Sequence, residues 1–498
     1  MGVRGRKRER KKHSRKRWII AIVVSFVVLL VGGAGAIYLK LNANIDTFDS
    51  AGLSKNRPAE TKADANGNKA VNVLLIGSDT RAGENGKLGG SAAGPIGRSD
   101  TTILLHVYPD HKHAVGISIP RDSLVEIPPC LLPDGKWSKD QPAAMFNSAF
   151  SMGSTAKGNP ACTQNTVEKL SGMRIDHTMV VDFAGFASMT SAVHGVEVCV
   201  PNNIYQGDLN PNLGRKGKVV LKAGMQNLQG QQALDYVRVR HGVGDNSDVG
   251  RMLRQQAFLS ALIKKVKGQG MNPTTLLPLA NAATKSLTVD SGLGSAAKLM
   301  SFGLSLKNID LNNIQFITAP WKYAGARIDL VHPDVDNLFA TLRADKTLDG
   351  VNASGKTTTA SATPSPSATV DGSGISVSVY NGTTTDGLAG KAATLLRGDG
   401  FTVMNTTNAK ARDHAVTRIE YGTGAGAKTQ AQTVAKLFPG AQLVQLDTSG
   451  VNVVLGQDYA AVAAKGGTAS ATPTPLPTTL SKSARSADAD PCSKLSYG

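Results

Sequence analysis

Apolar positions along the chain fall into three regimes. Residues 18–38, WIIAIVVSFVVLLVGGAGAIY, run 21 positions without a charged side chain, long enough to cross the roughly 30 Å hydrocarbon layer as a helix. From residue 70, short apolar runs alternate with helically spaced ones. AVNVLLIG (70–77), TTILLHVY (101–108) and AVGISI (114–119) read as strands buried on both faces, the last two separated by the five-residue turn PDHKH. VEKLSGM, ALDYV and RMLRQQAFLSALIKKVKG (251–268) place apolar residues three and four apart, which predicts helices. Strands mixed with helices across 70–345 predict one sizeable α/β domain. A smaller set, ISVSVYNGT (375–383), GLAGKAATLLRGDGF, VTRIEYG and VNVVLGQD, predicts a second small α/β domain over 374–460.

The polar stretches between these regimes set the boundaries. Residues 39–69 read as a stalk. Residues 346–373, with TTTASATPSPSAT inside them, read as an extended Ser/Thr/Pro linker. The tail 461–498, from ASATPTPLPTTL onward, reads as disordered. No internal repeat is present.

Charge changes the picture at the N-terminus. Residues 1–17 hold ten Lys/Arg against one Glu, half of the chain's formal net charge of +18. Such a run alone would suit a nucleic-acid arm. Followed by an uncharged 21-residue span, it reads instead as a cytoplasmic tail that holds the N-terminus inside. The span is too long for a cleavable signal peptide, and Trp18 and Tyr38 at its ends suit the two interfaces. The expectation is a single-pass anchor in the cell membrane with everything after about residue 40 extracytoplasmic. Four cysteines, Cys130, Cys162, Cys199 and Cys492, fit that oxidising side. Cys130 and Cys162 flank a stretch they would staple, but three pairings are open.

Candidate chemistry concentrates around DYVRVRHGVGDNSDVGRMLRQQAFL (235–259), where Arg238, Arg240, Arg251 and Arg254 sit among core-type residues. YVRVRH alternates as a strand would, with Tyr236, Arg238 and Arg240 on one face. On the following helix, Arg251, Arg254, Gln255, Phe258 and Leu262 form one stripe. Cations at a helix N-terminus oppose the macrodipole by about 0.3–1 kcal/mol each. Two accounts are open: an ion pair with Asp245 or Asp248, or a pocket for a doubly charged anion such as a pyrophosphate. Acids and arginines recur at strand ends: Asp79 and Arg81 after VLLIG, Arg98 and Asp100 before TTILL, Arg121 and Asp122 after GISI. Two carboxylates beside a diphosphate make an oxygen-rich site for Mg²⁺ or Mn²⁺, and a free Asp would serve as base towards an incoming hydroxyl. His194 and His241 are each isolated and read as structural. No GxSxG elbow, Walker loop or HExxH motif occurs.

VLLIGSDTR, GRSDTTILLHV, ISIPRDS, ALDYVRVR and SDVGRMLRQQ, in that order, resemble the LytR-CpsA-Psr family of wall-glycopolymer ligases. VYNGTTTDGLAGKAATLLRGDGFTV and VVLGQDY resemble the C-terminal LytR-type domain attached in actinobacterial members. The resemblance implies an α/β/α sandwich with a mostly parallel central sheet over 70–345. It implies a phosphotransferase that moves a glycopolymer from a polyprenyl-pyrophosphate carrier to peptidoglycan through a phosphodiester link. Carried over, Asp79 and Asp100 match the Mg²⁺ ligands. Arg98, Arg121, Arg238, Arg240, Arg251, Arg254 and Gln255 match the pyrophosphate contacts, and Arg121, Asp122 and Arg240 the catalytic set. The implied partners are the lipid-linked polymer, peptidoglycan and the membrane, with no nucleic acid. The long Asp79–Arg98 insertion departs from the family pattern. Competing functions are a polyprenyl-pyrophosphate phosphatase and a non-catalytic wall-binding anchor.

Overall fold

A computed structural model describes residues 18, 32–48, 50–61, 63, 67–80, 85, 97–152, 159–244, 246–269, 273–325, 327–354, 372–438, 440–446, 450–464, 476, 478–493 and 495. The membrane-anchor expectation for 18–38 falls mostly outside these residues, as do the basic tail and Arg81. Among the described residues no helix is long and apolar enough to cross a membrane. Two compact units form: residues 1–356 with 475–498, and residues 357–474.

The first unit is built on an eight-stranded sheet. Its strands are β1 (Asp46–Thr47), β2 (Val71–Ser78), β3 (Ser99–Val107), β4 (Ala114–Ser118), β5 (His177–Val181), β6 (Leu287–Val289), β7 (Ile314–Thr318) and β8 (Arg485–Ser486), in the order β1-β6-β5-β2-β3-β4-β7-β8. The sheet is mixed, not mostly parallel. β2/β3 and β3/β4 are antiparallel pairs, while β5/β2, β4/β7 and β1/β6 are parallel pairs. The reason lies in the PDHKH connection: five residues close a hairpin but cannot carry a parallel crossover.

Both faces of the sheet are covered, which explains the uninterrupted apolar strands. On one face Leu74, Ile76, Leu104 and Ile117 pack with α1 (Pro160–Ser171) and α6 (Asp334–Arg343) through Val167, Leu338 and Leu342. On the other, Val107, Ile314 and Phe316 meet Leu259 and Ile263 of α4 (Asp248–Gly268). Helices α2 (Phe183–Ala192), α3 (Gly230–Arg238) and α5 (Pro273–Ser286) stand beside α4.

Three further expectations need correction. The strand expected at YVRVRH is the last turn of α3, followed by Val239 in an extended conformation (φ −58°, ψ 136°). Ala233, Tyr236 and Val237 bury a three-and-four-spaced face there, and three steps of alternation were too few to outweigh it. The stalk is not free: β1 joins the sheet edge, and Arg57 forks onto the Glu168 carboxylate (2.6 and 3.0 Å) and the Ile175 carbonyl. The tail is not disordered throughout. Residues 478–483 are helical, β8 pairs with β7, and Cys492 bonds Cys199, while Cys130 bonds Cys162.

The second unit holds a five-stranded sheet, including the expected strands Ser376–Asn381, Arg418–Tyr421 and Val451–Leu455, with Leu388–Gly398 and Ala427–Ala435 as its helices. The edge strands Thr402–Asn408 and Gln442–Gln445 escape a hydropathy reading because their residues are almost all polar or exposed.

Candidate active site

One end of the sheet collects the charges. Ser78 pairs with Ser99, and Ile103 with Ser118, so the end of β2, the start of β3 and the end of β4 lie side by side. Asp79, Asp100, Arg121 and Asp122 therefore converge although they are up to 43 positions apart in sequence. The N-terminus of α4 lies over this end. Ser247 caps it by accepting from the Gly250 N–H at 2.9 Å. Gln256 Nε2 donates to Ser118 Oγ (2.9 Å) and Thr318 Oγ1 (3.2 Å), which fixes the helix on β4 and β7. That register aims Arg251 at β3, where Nη2 donates to the Asp100 carbonyl at 3.1 Å.

Three arginines and three aspartates interlock there. Arg121 Nη1 donates to Asp100 Oδ1 at 2.5 Å, and its Nε lies 3.4 Å from Asp248 and 3.5 Å from Asp122. Arg251 lies 3.0 Å from the Asp248 carboxylate and 3.8 Å from Asp100 Oδ2, and Arg240 Nε lies 3.6 Å from Asp248 Oδ1. The ion-pair account with Asp248 is thus realised, and Asp248 is the acid that all three arginines share. Sequence reasoning gave it only a neutralising part. Its signal was its place one residue after the cap Ser247 and three before Arg251.

Hydrogen bonding in the cluster is incomplete. Arg251 is 2% exposed, yet its Nε has no acceptor among the described residues, and neither has Arg121 Nε, whose near carboxylates lie out of line. Asp248 Oδ1, although close to Arg251, is likewise not in hydrogen-bond alignment. A buried guanidinium N–H left unbonded costs on the order of 1–3 kcal/mol, so the cluster is poised for further acceptors. Burial raises the Asp100 carboxyl, but Arg251 and Arg121 outweigh that and hold it below the usual carboxylate range. Burial lowers Arg121, but Asp100 and Asp248 outweigh it and the guanidinium is held up. Arg240 moves the other way: burial, then Arg251 and Arg121, push it down, more than Asp248 and Asp100 restore. The cluster under-neutralises Arg240, which is the cation most open to solvent (38% of its side chain exposed).

The other candidates stand apart from this core. Arg238 ends α3 and stacks on the Phe183 ring at 4.2 Å. Arg254 is buried and donates to the Val239 carbonyl, holding the turn that carries Arg240. Gln255 commits its Nε2 to the Val237 carbonyl (3.1 Å) and leaves Oε1 without a donor among the described residues. The Arg98 side chain is exposed, while its N–H donates to Asp79 Oδ1 at 2.5 Å. Among the described residues no group of three or more His, Cys, Asp or Glu side chains gathers to hold a metal by itself. Asp79 and Asp100, on adjacent strand ends, supply two hard oxygen donors, so remaining ligands of a divalent ion would come from phosphate oxygens and water.

Residues 37–344 match the sequence profile described as the LytR_cpsA_psr family. The chain belongs to this family. Residues 374–459 match a second profile, described as LytR cell envelope-related transcriptional attenuator. "Cell wall biosynthesis protein LcpA" of Corynebacterium glutamicum is 28% identical over 478 residues, covering 89% of this chain and 86% of that one. TagT of Bacillus subtilis, named a polyisoprenyl-teichoic acid–peptidoglycan teichoic acid transferase, is 30% identical over 64% of this chain and 91% of its own. Among solved structures, "TagT bound to LI-WTA" matches 59% of this chain and 98% of that one at 25% identity and a TM-score of 0.43.

Proposed function

We propose that this LytR-CpsA-Psr protein transfers a glycopolymer from a polyprenyl-pyrophosphate carrier to peptidoglycan, leaving a phosphodiester link. The observation that carries the reading is the cluster of Arg121, Arg240 and Arg251, partly open to solvent at Arg240, in which the Nε donors of Arg121 and Arg251 lack acceptors among the described residues. Bidentate guanidinium forks match phosphate oxygens, and the names of the LcpA and TagT relatives place related chains in wall assembly and polymer transfer.

In this scheme the pyrophosphate lies across the three arginines and takes over contacts now made by Asp248 and Asp122. A peptidoglycan hydroxyl attacks the phosphorus that bears the sugar. The P–O bond to the second phosphate breaks, and polyprenyl phosphate leaves with that bonding pair. Asp122, a quarter exposed and 3.5 Å from Arg121, would accept the hydroxyl proton. The arginines stabilise charge on the leaving phosphate without reorganising. Asp79 and Asp100 would hold Mg²⁺ or Mn²⁺, which supplies further charge neutralisation at the phosphates. The same reading has residues 18–38 anchor the chain, with the site outside the membrane.

The test is to incubate the chain with a polyprenyl-pyrophosphate-linked sugar and peptidoglycan, with and without Mg²⁺. Sugar attached to peptidoglycan, lost in Arg121→Ala and Arg240→Ala, is expected. Wild-type transfer in both variants would refute the reading, and phosphate release without attachment would replace transfer by hydrolysis.

A further inference from the structure

A basic, partly apolar loop stands beside the mouth of the site. Strands Ile204–Tyr205 and Val219–Leu221 pair antiparallel, and every residue from 211 to 219 between and at their ends is exposed. Arg215, Lys216, Lys218 and Lys222 lie on this loop, against Asp208 as its single acid. Among the described residues none of the four cations forms an ion pair, and Lys216 instead lies 4.0 Å over the Tyr205 ring. Leu213 and Val219, 36% and 43% exposed, sit among them. The loop is braced to the site: Asn202 Nδ2 donates to the Gly242 carbonyl at 2.6 Å, and the Gly242 N–H donates to Asn246 Oδ1 at 2.7 Å. Those residues belong to the turn joining Arg240 to Asp248.

Sheet register shows at which end of the sheet the chain enters its first strand. Val181, at the end of β5, pairs with both Gly77 of β2 and Leu287, the first residue of β6. β1 runs parallel to β6 from Asp46, so the chain enters β1 at the same end of the sheet as the charge cluster. The helical residues 32–43 precede it, and Asn44 just after them donates from Nδ2 to Asn281 Oδ1 at 3.3 Å and to Thr284 Oγ1 at 3.5 Å, on α5, which leads into β6 at that same end. A chain emerging from a bilayer through residues 18–38 would therefore reach the sheet first at the end that carries the mouth of the site.

We propose that the 206–222 loop docks on an anionic phospholipid surface, with its cations at the headgroups and Leu213 and Val219 in the interfacial layer, holding the mouth of the site against the membrane. Cations alone would equally suit a soluble polyanion. Exposed leucine and valine between them gain only from a phase that removes them from water. The proposal rests on the reading that the donor is lipid-linked, because a site fed from the bilayer gains from being pressed to it.

The test uses the full chain reconstituted in vesicles of phosphatidylcholine with and without phosphatidylglycerol. All four native cysteines are paired, so Leu213→Cys or Val219→Cys gives a single thiol for an environment-sensitive fluorophore. Asn312→Cys, exposed beside the start of β7 and so at the opposite end of the sheet, is the reference. Nitroxide lipids are expected to quench positions 213 and 219 but not 312, more strongly with phosphatidylglycerol present. Lys216→Glu with Lys218→Glu should weaken the anionic-lipid dependence by roughly 25-fold or more, at about fivefold per cation lost. Quenching at 213 and 219 no greater than at 312 would overturn the proposal. So would shielding of both labels by a soluble teichoic acid in the absence of lipid quenching, which would assign the loop to the polymer. Quenching needs no turnover, so failed transfer with quenching intact would indict the enzymatic reading alone.

Discussion

Asp248 is the most informative position to perturb. It is the shared counter-ion of Arg121, Arg240 and Arg251, and its side chain is 14% exposed against 2% for Arg251. Asp248→Asn keeps the shape and removes the charge. Breaking a buried pair by deleting one partner costs about 3–5 kcal/mol. Arg121 and Arg240 retain some solvent, so the lower end, about 3 kcal/mol, is expected, equivalent to a fall in midpoint of very roughly 5 °C for a unit of this size. The same change should tighten inorganic pyrophosphate. In the wild type the anion must take the guanidinium forks from Asp248, whereas in the variant they are free, and about tenfold in Kd corresponds to only ~1.4 kcal/mol. Pyrophosphate at a hundred times its Kd adds about 2.7 kcal/mol, which should nearly restore the variant. Calorimetric titration and thermal unfolding with and without pyrophosphate measure both halves. An unchanged midpoint, or weaker pyrophosphate binding, would show that Asp248 does not hold the arginines in reserve for an anion.

Burial pushes the His106 imidazole down to about 3, with Nδ1 2.7 Å from Asn72 Oδ1. The unfolded chain binds that proton near pH 6.5 and the folded chain does not, so stability should fall by up to about 1.4 kcal/mol per unit as pH drops from 6.5 towards 3. His106→Asn should flatten this slope in urea titrations at pH 4 to 6, and an unchanged slope would assign it elsewhere. Cys199 and Cys492 are 293 positions apart. Replacing both by Ser should cost about 2–5 kcal/mol in denaturant unfolding and open the 485–493 segment to proteolysis, which continued protection would contradict. A Cβ on Gly116 would lie 2.6 Å from the Phe316 ring across β4 and β7. Gly116→Ala should therefore destabilise by about 1–3 kcal/mol, read from the same unfolding curves, and a neutral result would mean the ring yields freely.

The sequence carries the strands of the first unit's centre plainly, because a strand buried on both faces has to be apolar throughout. It carries the second unit's centre for the same reason and loses the edges Thr402–Asn408 and Gln442–Gln445, which have little to bury. Strand direction was legible in the PDHKH connection, although the family resemblance implied a mostly parallel sheet. The candidate residues Asp79, Asp100, Arg121, Asp122, Arg240 and Arg251 are drawn to one sheet end. The helical stripe of Arg251, Arg254 and Gln255 is present, whereas the strand-face argument for Arg238 fails. Arg238 sits on a helix end rather than a strand, and Arg254 and Gln255 spend side-chain donors on the carbonyls of Val239 and Val237. Hydropathy cannot show that the backbone leaving α3 needs those donors. The return of β8 to the first sheet was hidden by a Pro/Thr-rich preface that is indistinguishable in composition from linker.

The charge cluster makes sense once the helix above it is included. Asp79 follows a strand, Asp100 begins one and Arg121 follows another, yet the antiparallel meander brings all three to the same edge. α4 then adds the positive end of its macrodipole to Arg251 in its first turn, an arrangement unfavourable by itself. Asp248, in the same turn, offsets it and draws in Arg121 and Arg240. Three aspartates balance three arginines in formal charge, but not in hydrogen bonds, because among the described residues the Nε donors of Arg121 and Arg251 have no aligned acceptor, and not at the helix terminus, whose partial positive charge is extra. A pyrophosphate, with terminal oxygens on two phosphorus atoms, can satisfy both shortfalls at once, while a single phosphate, itself largely a dianion near neutral pH, has fewer oxygens to share among them. On that ground a pyrophosphate should bind this site more tightly than inorganic phosphate by more than the difference in charge alone, and Arg251→Lys, which keeps the charge but removes the Nε donor, should erase most of that preference in competitive titration.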